Sequence, residues 1–435
     1  MASGSSWGRW PRHEQRLIAL TNRFDALPDS QPMLPFGNGR SYGDVCLNGG
    51  GTLLLTRGLD RFISFDPVSG VLECEAGVLL SEIIGLTLPD GWFPAVTPGT
   101  ALITVGGAIA NDVHGKNHHR VGSFGHHVIE FELRRSDGQL LRCSRDCNPE
   151  WFCATIGGLG LTGLIRTARL QLRRVPGVWI GGDSQRFPNL EAFFELAENS
   201  DAEYEYTVAW LDCANAGSKL GRGIFMRGNH VQHDGAARAI APPRTLPFTP
   251  PISPINGYSV RLFNELYFRR PAAQSSKTLW HYQPFLFPLD GLLQWNRIYG
   301  PRGFFQYQCV LPGSVTDETS ALQEMLRRIA RSGLGSFLAV LKRFGLKPSL
   351  GLLSFPRPGA TLALDFPNRG EATLQLLEDL DSITRAAGGA VYPAKDARMS
   401  ASSFQHYFPQ WQQLRPFIDP GFSSSFWRRV NTSTT

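Results

Sequence analysis

Five of the chain's ten histidines fall in one stretch, VGGAIANDVHGKNHHRVGSFGHH (105–127): His114, His118, His119, His126 and His127. Metal binding is the first chemistry such a density suggests, and His114 and His118 have the i,i+4 spacing that zinc accepts on a helix. Gly115 and Gly122 interrupt that helix, and no nearby acidic or cysteine residue completes a ligand set. Adjacent pairs such as His118-His119 diverge in an extended strand. No metal is expected. The glycines point instead to close backbone approach by a large ligand. PFGNGRSYGD (35–44) and TPGTALITVGGAIANDVHG (97–115) each supply N–H groups free of bulky side chains, suited to a pyrophosphate without a Rossmann helix. Two such loops describe a dinucleotide cradle.

Other motifs offer competing chemistry. GRSYG (39–43) satisfies the G-x-S-x-G pattern of a serine hydrolase with Ser41 as nucleophile, but that elbow needs a buried strand before it and a helix after it. Here Pro32 and Pro35 precede and DVCLNGGG follows, so a hydrolase is a distant alternative. Gly158-Leu-Gly160-Leu-Thr-Gly163 is a formal G-x-G-x-x-G, yet it follows helix-like NPEWFCATI and leads into alternating LIRTARLQL. That order is the inverse of a nicotinamide fingerprint. Seven scattered cysteines form no disulfide framework, and Cys143 and Cys147 lack a second pair for zinc. Only six of 43 basic residues are lysines, which makes each one a candidate wherever a deprotonatable amine matters.

These loops need a scaffold. A chain of 435 residues can bury a large core, and two domains are expected. A hydrophobic content of 42% and a charged content of 18% exclude a disordered chain. The net charge of +6 is spread rather than clustered, which disfavours nucleic acid and suits an anionic small substrate or a membrane surface. WFCATIGGLGLTGLI (151–165) is too short and glycine-rich to span a bilayer. The N-terminus lacks the apolar core of a cleavable signal peptide, so a cytoplasmic or peripherally membrane-associated location is expected.

Residues 1–175 are strand-rich and glycine-punctuated, with a primed-turn hairpin expected at Asp137-Gly138 and a short helix in GVLLSEIIGLTLPDG. From 176 to 384, NLEAFFELAEN and VTDETSALQEMLRRIARSG read as amphipathic helices, the second opening on Thr316 or Asp317. They alternate with strand-like EYEYTVAWLD, FFQYQCVLP and ATLALDF, giving an α+β region on an antiparallel sheet. The proline-rich 241–255 reads as an extended, mobile excursion. Residues 385–435 combine a strand with an aromatic-rich helix.

Taken together and in this order, PFGNGRSYGD, TPGTALITVGGAIANDVHGKNHHRVGSFGHHV and GGLGLTGLI resemble the vanillyl-alcohol oxidase and para-cresol methylhydroxylase superfamily of FAD-binding oxidoreductases. The likeness to one branch, which oxidises the ribose 2'-hydroxyl of a polyprenylphosphoryl-ribose during arabinan and cell-wall synthesis, continues through LAVLKRFG, LSFPRPGATLALDFP and YPAKDARMSASSFQHYFPQW. It implies a two-subdomain FAD domain formed by 1–175 with 385–435 returning to it, and an inserted substrate-binding cap at 176–384.

It also implies site residues. Gly37, Asn38, Gly39, Arg40, Ser41, Tyr42 and Gly43 would wrap the pyrophosphate; Gly99, Thr104, Val105, Gly106 and Gly107 would take the ribityl and phosphate side. Asn111, Asp112, Val113 and His114 would meet the ring edge, with Ile165 and Tyr392 completing the contacts. FAD is expected to be non-covalent, because Arg40 and Ser41 stand where covalent members often place a histidine. Lys395, His114 and Tyr42 are the catalytic candidates. Lys395 would serve as a cation or, once desolvated, a base; an ion pair with Asp396 is its bland reading. Lys116, Trp210, Gln306, Gln308, Lys342 and Phe344 match substrate-side positions. His118, His119, His126 and His127 are expected to serve packing and hydrogen bonding. Ala363 stands where mycobacterial relatives carry cysteine. The resemblance further implies a partner reductase of the short-chain type completing an epimerisation. Another sugar, a polyol or an aldonolactone is the alternative substrate, and a catalytically inactive FAD-fold binding protein the alternative class.

Overall fold

The computed structural model describes residues 4–29, 31–233, 241–270 and 278–432. Apolar runs closed by glycine, proline or aspartate become strands. Arg16–Ala19, Thr52–Leu55 and Met33–Phe36 form a small parallel sheet, with Thr52–Leu55 in the middle. TLLL is apolar without alternation because a central parallel strand is covered on both faces. Phe62–Asp66, Val71–Glu75, Leu164–Gln171, Val128–Arg134 and Leu140–Ser144 form a five-stranded antiparallel sheet in that spatial order. The Asp137-Gly138 hairpin is present, but on three residues rather than two. Arg135 N donates to Gln139 O, Gly138 N donates to Arg135 O, and Gly138 supplies the positive φ of 90° that this turn needs.

The largest sheet is wholly antiparallel. Its order is Thr278–His281, Trp179–Phe187, Gly223–Val231, Tyr206–Leu211, Ala339–Phe344, Gly359–Pro367, Phe304–Leu311 and Ala390–Val391. Its last strand lies beyond residue 384, through pairing of Cys309 with Val391. Helices Leu190–Asp201, Val315–Ser332 and Glu371–Ala386 lay Phe193, Leu322, Met325 and Leu377 against Phe225, Leu341 and Leu362 of one sheet face. The second helix starts earlier than its sequence suggests: Ser314 is the cap, accepting from Asp317 N, while the Asp317 carboxylate accepts from Ser314 N. The reciprocal pair satisfies two end donors at once.

Two connections bring distant chain together. The proline-rich segment is extended, Arg244–Thr245 pairing in parallel with Leu292–Leu293. The tail returns to the small parallel sheet, where Met33 N donates to Gly421 O and Ser423 N to Met33 O. No helix among the described residues is long and apolar enough to cross a membrane.

Candidate cofactor and substrate site

The first glycine loop leaves the end of a parallel strand, Met33–Phe36, where open sheets place ligands. Gly39 has a φ of +62°, and a Cβ there would lie 2.9 Å from Ser5 O. Any side chain would therefore both strain the backbone and push the loop outward. Among the described residues, the amides of Gly39, Arg40 and Ser41 donate to no protein acceptor. The Arg40 guanidinium stacks 4.0 Å over the Trp7 ring, and its buried Nε has no partner. An arginine fork beside unfilled amides is anion-binding geometry.

The second loop faces the first. Thr104 caps the helix Val105–Ala110 by accepting from Gly107 N at 3.1 Å. Asp112, with φ +39°, is fully buried and accepts from Ser123 Oγ, Ser354 Oγ and Gly125 N. It clamps the turn from below, so that Asn111 and His114 face a cavity. Tyr392 Oη donates to Asn111 O at 2.8 Å from the other side.

The cavity spans about 1890 Å³ of space, part of it open to solvent. Its roof is the large sheet. Side chains alternate along a strand, so Gln306 and Gln308, Val340 and Lys342, and Ala363 share one face while Tyr307, Leu341 and Leu362 pack in the core. Register aligns them, Gln308 opposite Ala363 and Gln306 opposite Asp365.

Lys395 enters from the C-terminal segment. Tyr42 N donates to Ala394 O, and a Cβ on Gly43 would collide with Asp396 O, so the first loop and the lysine turn lie backbone against backbone. Arg429 locks that contact by pairing with Asp44 at 2.6 Å and Asp396 at 3.0 Å. Asp396 is therefore engaged by Arg429 and by the amides of Arg398 and Met399, while Lys395 turns to the cavity.

Burial dominates the electrostatics. It pushes the Lys395 ammonium down to about 7, with Lys342 adding to the shift and Asp365 opposing it. It lowers Lys342 to about 8 and raises the Asp365 carboxyl to about 7. Tyr42 is raised well above its ordinary value, by burial and then by Asp365. His114 is held well below its own by burial, Lys342, His118 and Lys395. The Gln308 amide nitrogen lies 2.8 Å from His114 Nε2, which fits a neutral imidazole accepting there and carrying its proton on the buried, unpartnered Nδ1.

Of the residues singled out in the sequence, Gly37 to Tyr42, Gly99, Thr104, Gly106, Gly107, Asn111, Val113, His114, Ile165, Tyr392, Gln306, Gln308, Lys342 and Lys395 line the cavity. Gly43, Val105, Asp112, Lys116, Trp210 and Phe344 do not line it. Lys116 is buried and donates from Nζ to Leu286 O. Trp210 donates to Phe337 O and lies under Tyr267, and Phe344 packs on His114 at 4.8 Å. The remaining loop histidines bond to backbone: His119 to Tyr204 O, His126 to Pro348 O, His127 to Val121 O, and His118 to Gly345 N. Ser41 is followed by a 3-10 turn, Asp44–Cys46, instead of the α-helix an elbow needs. Lys277 lies outside the described residues.

Sequence reasoning missed Trp7, Asp290 and Asp365. It also missed Leu159, Gly160 and Gly163, which line the cavity with φ of +58°, +75° and +138°. Their G-x-G-x-x-G spacing was the available signal; it marks backbone close to a ligand without a helix following it. Asp290 accepts from Thr100 Oγ1 at 2.5 Å and Ala101 N at 2.7 Å, fastening the turn Pro288–Gly291 to the Gly99 loop.

A glycine-lined cleft into which Arg40, Asn111 and His114 each bring a buried polar atom, Nε, Oδ1 and Nδ1, with no partner among the described residues fits a cofactor carrying both a pyrophosphate and a polar ring. Fold and site define an FAD-binding oxidoreductase. Residues 9–144 match the model of the FAD binding domain family. The chain is 35% identical over 410 residues to decaprenylphosphoryl-beta-D-ribose oxidase of Mycolicibacterium smegmatis, covering 91% of this chain and 88% of that one. It is 33% identical to a Streptomyces coelicolor protein described as lying in the mprA 5' region, over 81% of this chain and 100% of the other. Cytokinin dehydrogenase 2 of Arabidopsis thaliana matches at 33% over 141 residues, 32% of this chain and 28% of the relative. The chain belongs to the family of FAD-dependent oxidoreductases that includes decaprenylphosphoryl-beta-D-ribose oxidase.

Proposed function

We propose that this protein oxidises a secondary alcohol of a sugar, the ribose 2'-hydroxyl of a polyprenylphosphoryl-ribose, using FAD held non-covalently in the cavity. When bound, FAD supplies the acceptor for the hydride leaving the carbon. The loop from Gly37 to Gly43, with Arg40, would hold the pyrophosphate; Gly99 and Thr104 to Gly107 the ribityl side; and Asn111 to His114, Ile165 and Tyr392 the ring side. This assignment takes 176–384, with the strand Ala390–Val391 at the edge of its sheet, as a cap inserted in an FAD domain to which the rest of 385–435 returns.

The observation that carries the reading is the convergence of Lys395, Tyr42, Gln306 and Lys342 on the glycine-lined cavity, with the Lys395 ammonium over the Tyr42 ring. Lys395 is the base. Its amine, lowered to about 7, is partly neutral at physiological pH and takes the hydroxyl proton at Nζ as the carbonyl forms. His114 is too weakly basic for that task, and Tyr42 too weakly acidic to carry a phenolate. Tyr42 donates from Oη to the substrate oxygen, and His114 with Gln308 orients it. The ammonium left on Lys395 is stabilised by Asp365. Lys342 faces the substrate phosphate. A short-chain reductase would consume the ketone, and the lipid tail would keep the protein at a membrane surface. Deuterium at the ribose C2 position is expected to slow flavin bleaching several-fold in anaerobic stopped flow, and deuterium at C3 to leave it unchanged; equal rates for all three substrates would overturn the reading.

A further inference from the structure

The helix Gly257–Arg269 packs with one face and leaves the opposite face apolar. Inward, Val260 and Asn264 are buried, Phe263 meets Phe337 at 5.7 Å and Tyr267 meets Trp210 at 4.8 Å. Outward, at i, i+4 and i+8, stand Tyr258, Leu262 and Leu266, which are 86%, 63% and 62% exposed. A solvated helix places polar residues there, so this face is built for something other than water. The preceding segment adds exposed Phe248 and Ile252.

The face adjoins the cavity. Leu338, next to Phe337, lines the cavity, as do Leu292 and Leu293, and Leu246 N donates to Leu293 O on the way to the helix. Ile255 and Val260 share one apolar cluster with Trp295, against which Tyr42 packs.

The surrounding charge is cationic. Arg261 and Arg270 border the apolar row and are exposed, while Arg269 at its end pairs with Glu265. The helix's single carboxylate, Glu265, is already engaged by Arg222, Lys219 and Arg269. An apolar stripe with arginines at its margins is the pattern of a helix lying in the interface of an anionic bilayer, its arginine stems reaching lipid phosphates.

We infer that Tyr258, Leu262 and Leu266, with Phe248 and Ile252, dock this protein on an anionic lipid surface and present the cavity beside them to a substrate whose tail stays in the bilayer. The lipid substrate rests on the function proposed above; the docking itself is read from the helix. A second copy of the chain would meet the same apolar row, but the bordering arginines would then repel each other.

The test is flotation of the flavin-loaded protein with vesicles of phosphatidylcholine alone or mixed equally with phosphatidylglycerol, for wild type and for the double variant Leu262→Glu, Leu266→Glu. Both sites are exposed, so the variant is expected to keep its flavin and its melting temperature. Wild type should partition onto the mixed vesicles and little onto phosphatidylcholine, and the variant should lose at least about tenfold of that partition. Wild type failing to float, or floating equally well as the variant, would overturn the inference. So would concentration-dependent self-association without lipid that the variant abolishes, since a second copy would then be the occupant. Bleaching by a lipid-free ribosyl phosphate is a separate readout: its failure, with vesicle binding intact, counts against the substrate and not against the docking face.

Discussion

Lys395 Nζ lies 3.9 Å from the centroid of the Tyr42 ring, and Tyr42 N donates to the carbonyl of Ala394. Residues more than 350 positions apart in the chain thus form one unit, held by Arg429 across Asp44 and Asp396. A turn held by backbone and by ion pairs of its neighbours keeps its place when the Lys395 side chain is changed.

Lys395→Ala should therefore retain flavin and fold yet lower the rate of flavin reduction by substrate about 10²–10⁴-fold, the usual contribution of general base catalysis. Lys395→Arg keeps a cation and lacks a neutral form, so it should not restore the rate at neutral pH. Single-turnover bleaching measures both, and unchanged reduction in the alanine variant would remove Lys395 from the chemistry.

The pH dependence has a definite sign. The neutral amine is the active form, so reduction should rise with pH through about 7 and level off above it. The Asp365 carboxylate raises the amine's pKa. Asp365→Asn should then move the rising limb to lower pH. A purely structural effect would change the amplitude and leave the midpoint in place.

Ala363 lines the cavity opposite Gln308 in the register of the sheet. Reagents that capture a thiol at this position should leave the cavity of the wild-type protein unlabelled, because Cys46, also on the wall, has its thiol pushed up to about 12 by burial and Asp44; labelling of exposed Cys147 is the background to subtract. Ala363→Cys should create labelling at one site, read by intact mass.

Asp290 ties the Pro288–Gly291 turn to Thr100 and Ala101 through two hydrogen bonds, one of them charge-assisted to backbone. Asp290→Ala leaves the Gly99 loop without that strap. Flavin should dissociate about tenfold faster, a change equivalent to about 1.4 kcal/mol, measured by dilution fluorescence.

Much of this site was legible before any fold. The two glycine loops declare close backbone approach by composition alone, and resemblance placed Lys395, Tyr392 and Gln308 on the wall they line. Local signals reached less far where partners are remote. Nothing near Asp365 marks it as a neighbour of Lys395; the pairing of Gln306 with Asp365 brings it there. Trp7 becomes a cavity residue only because its amide donates to Ser41 O. Lys116, Trp210 and Phe344 have the right residue types in the right segments, but each side chain is claimed by another element: Leu286 O, Phe337 and Tyr267, or His118. The Gly158–Gly163 motif follows the helix Pro149–Thr155 and leads into the strand Leu164–Gln171, the order its flanking sequence suggests and the inverse of a nicotinamide fingerprint. Its left-handed residues still serve the cavity, a use that spacing alone does not reveal.

The most direct test of the central claim mixes the yellow protein anaerobically with a polyprenylphosphoryl-ribose and, separately, with its 2'-deoxy counterpart. Hydride leaving the carbon that bears the 2'-hydroxyl predicts loss of the flavin absorbance with the first and persistence of colour with the second. Bleaching by both compounds, or by neither, would contradict the account.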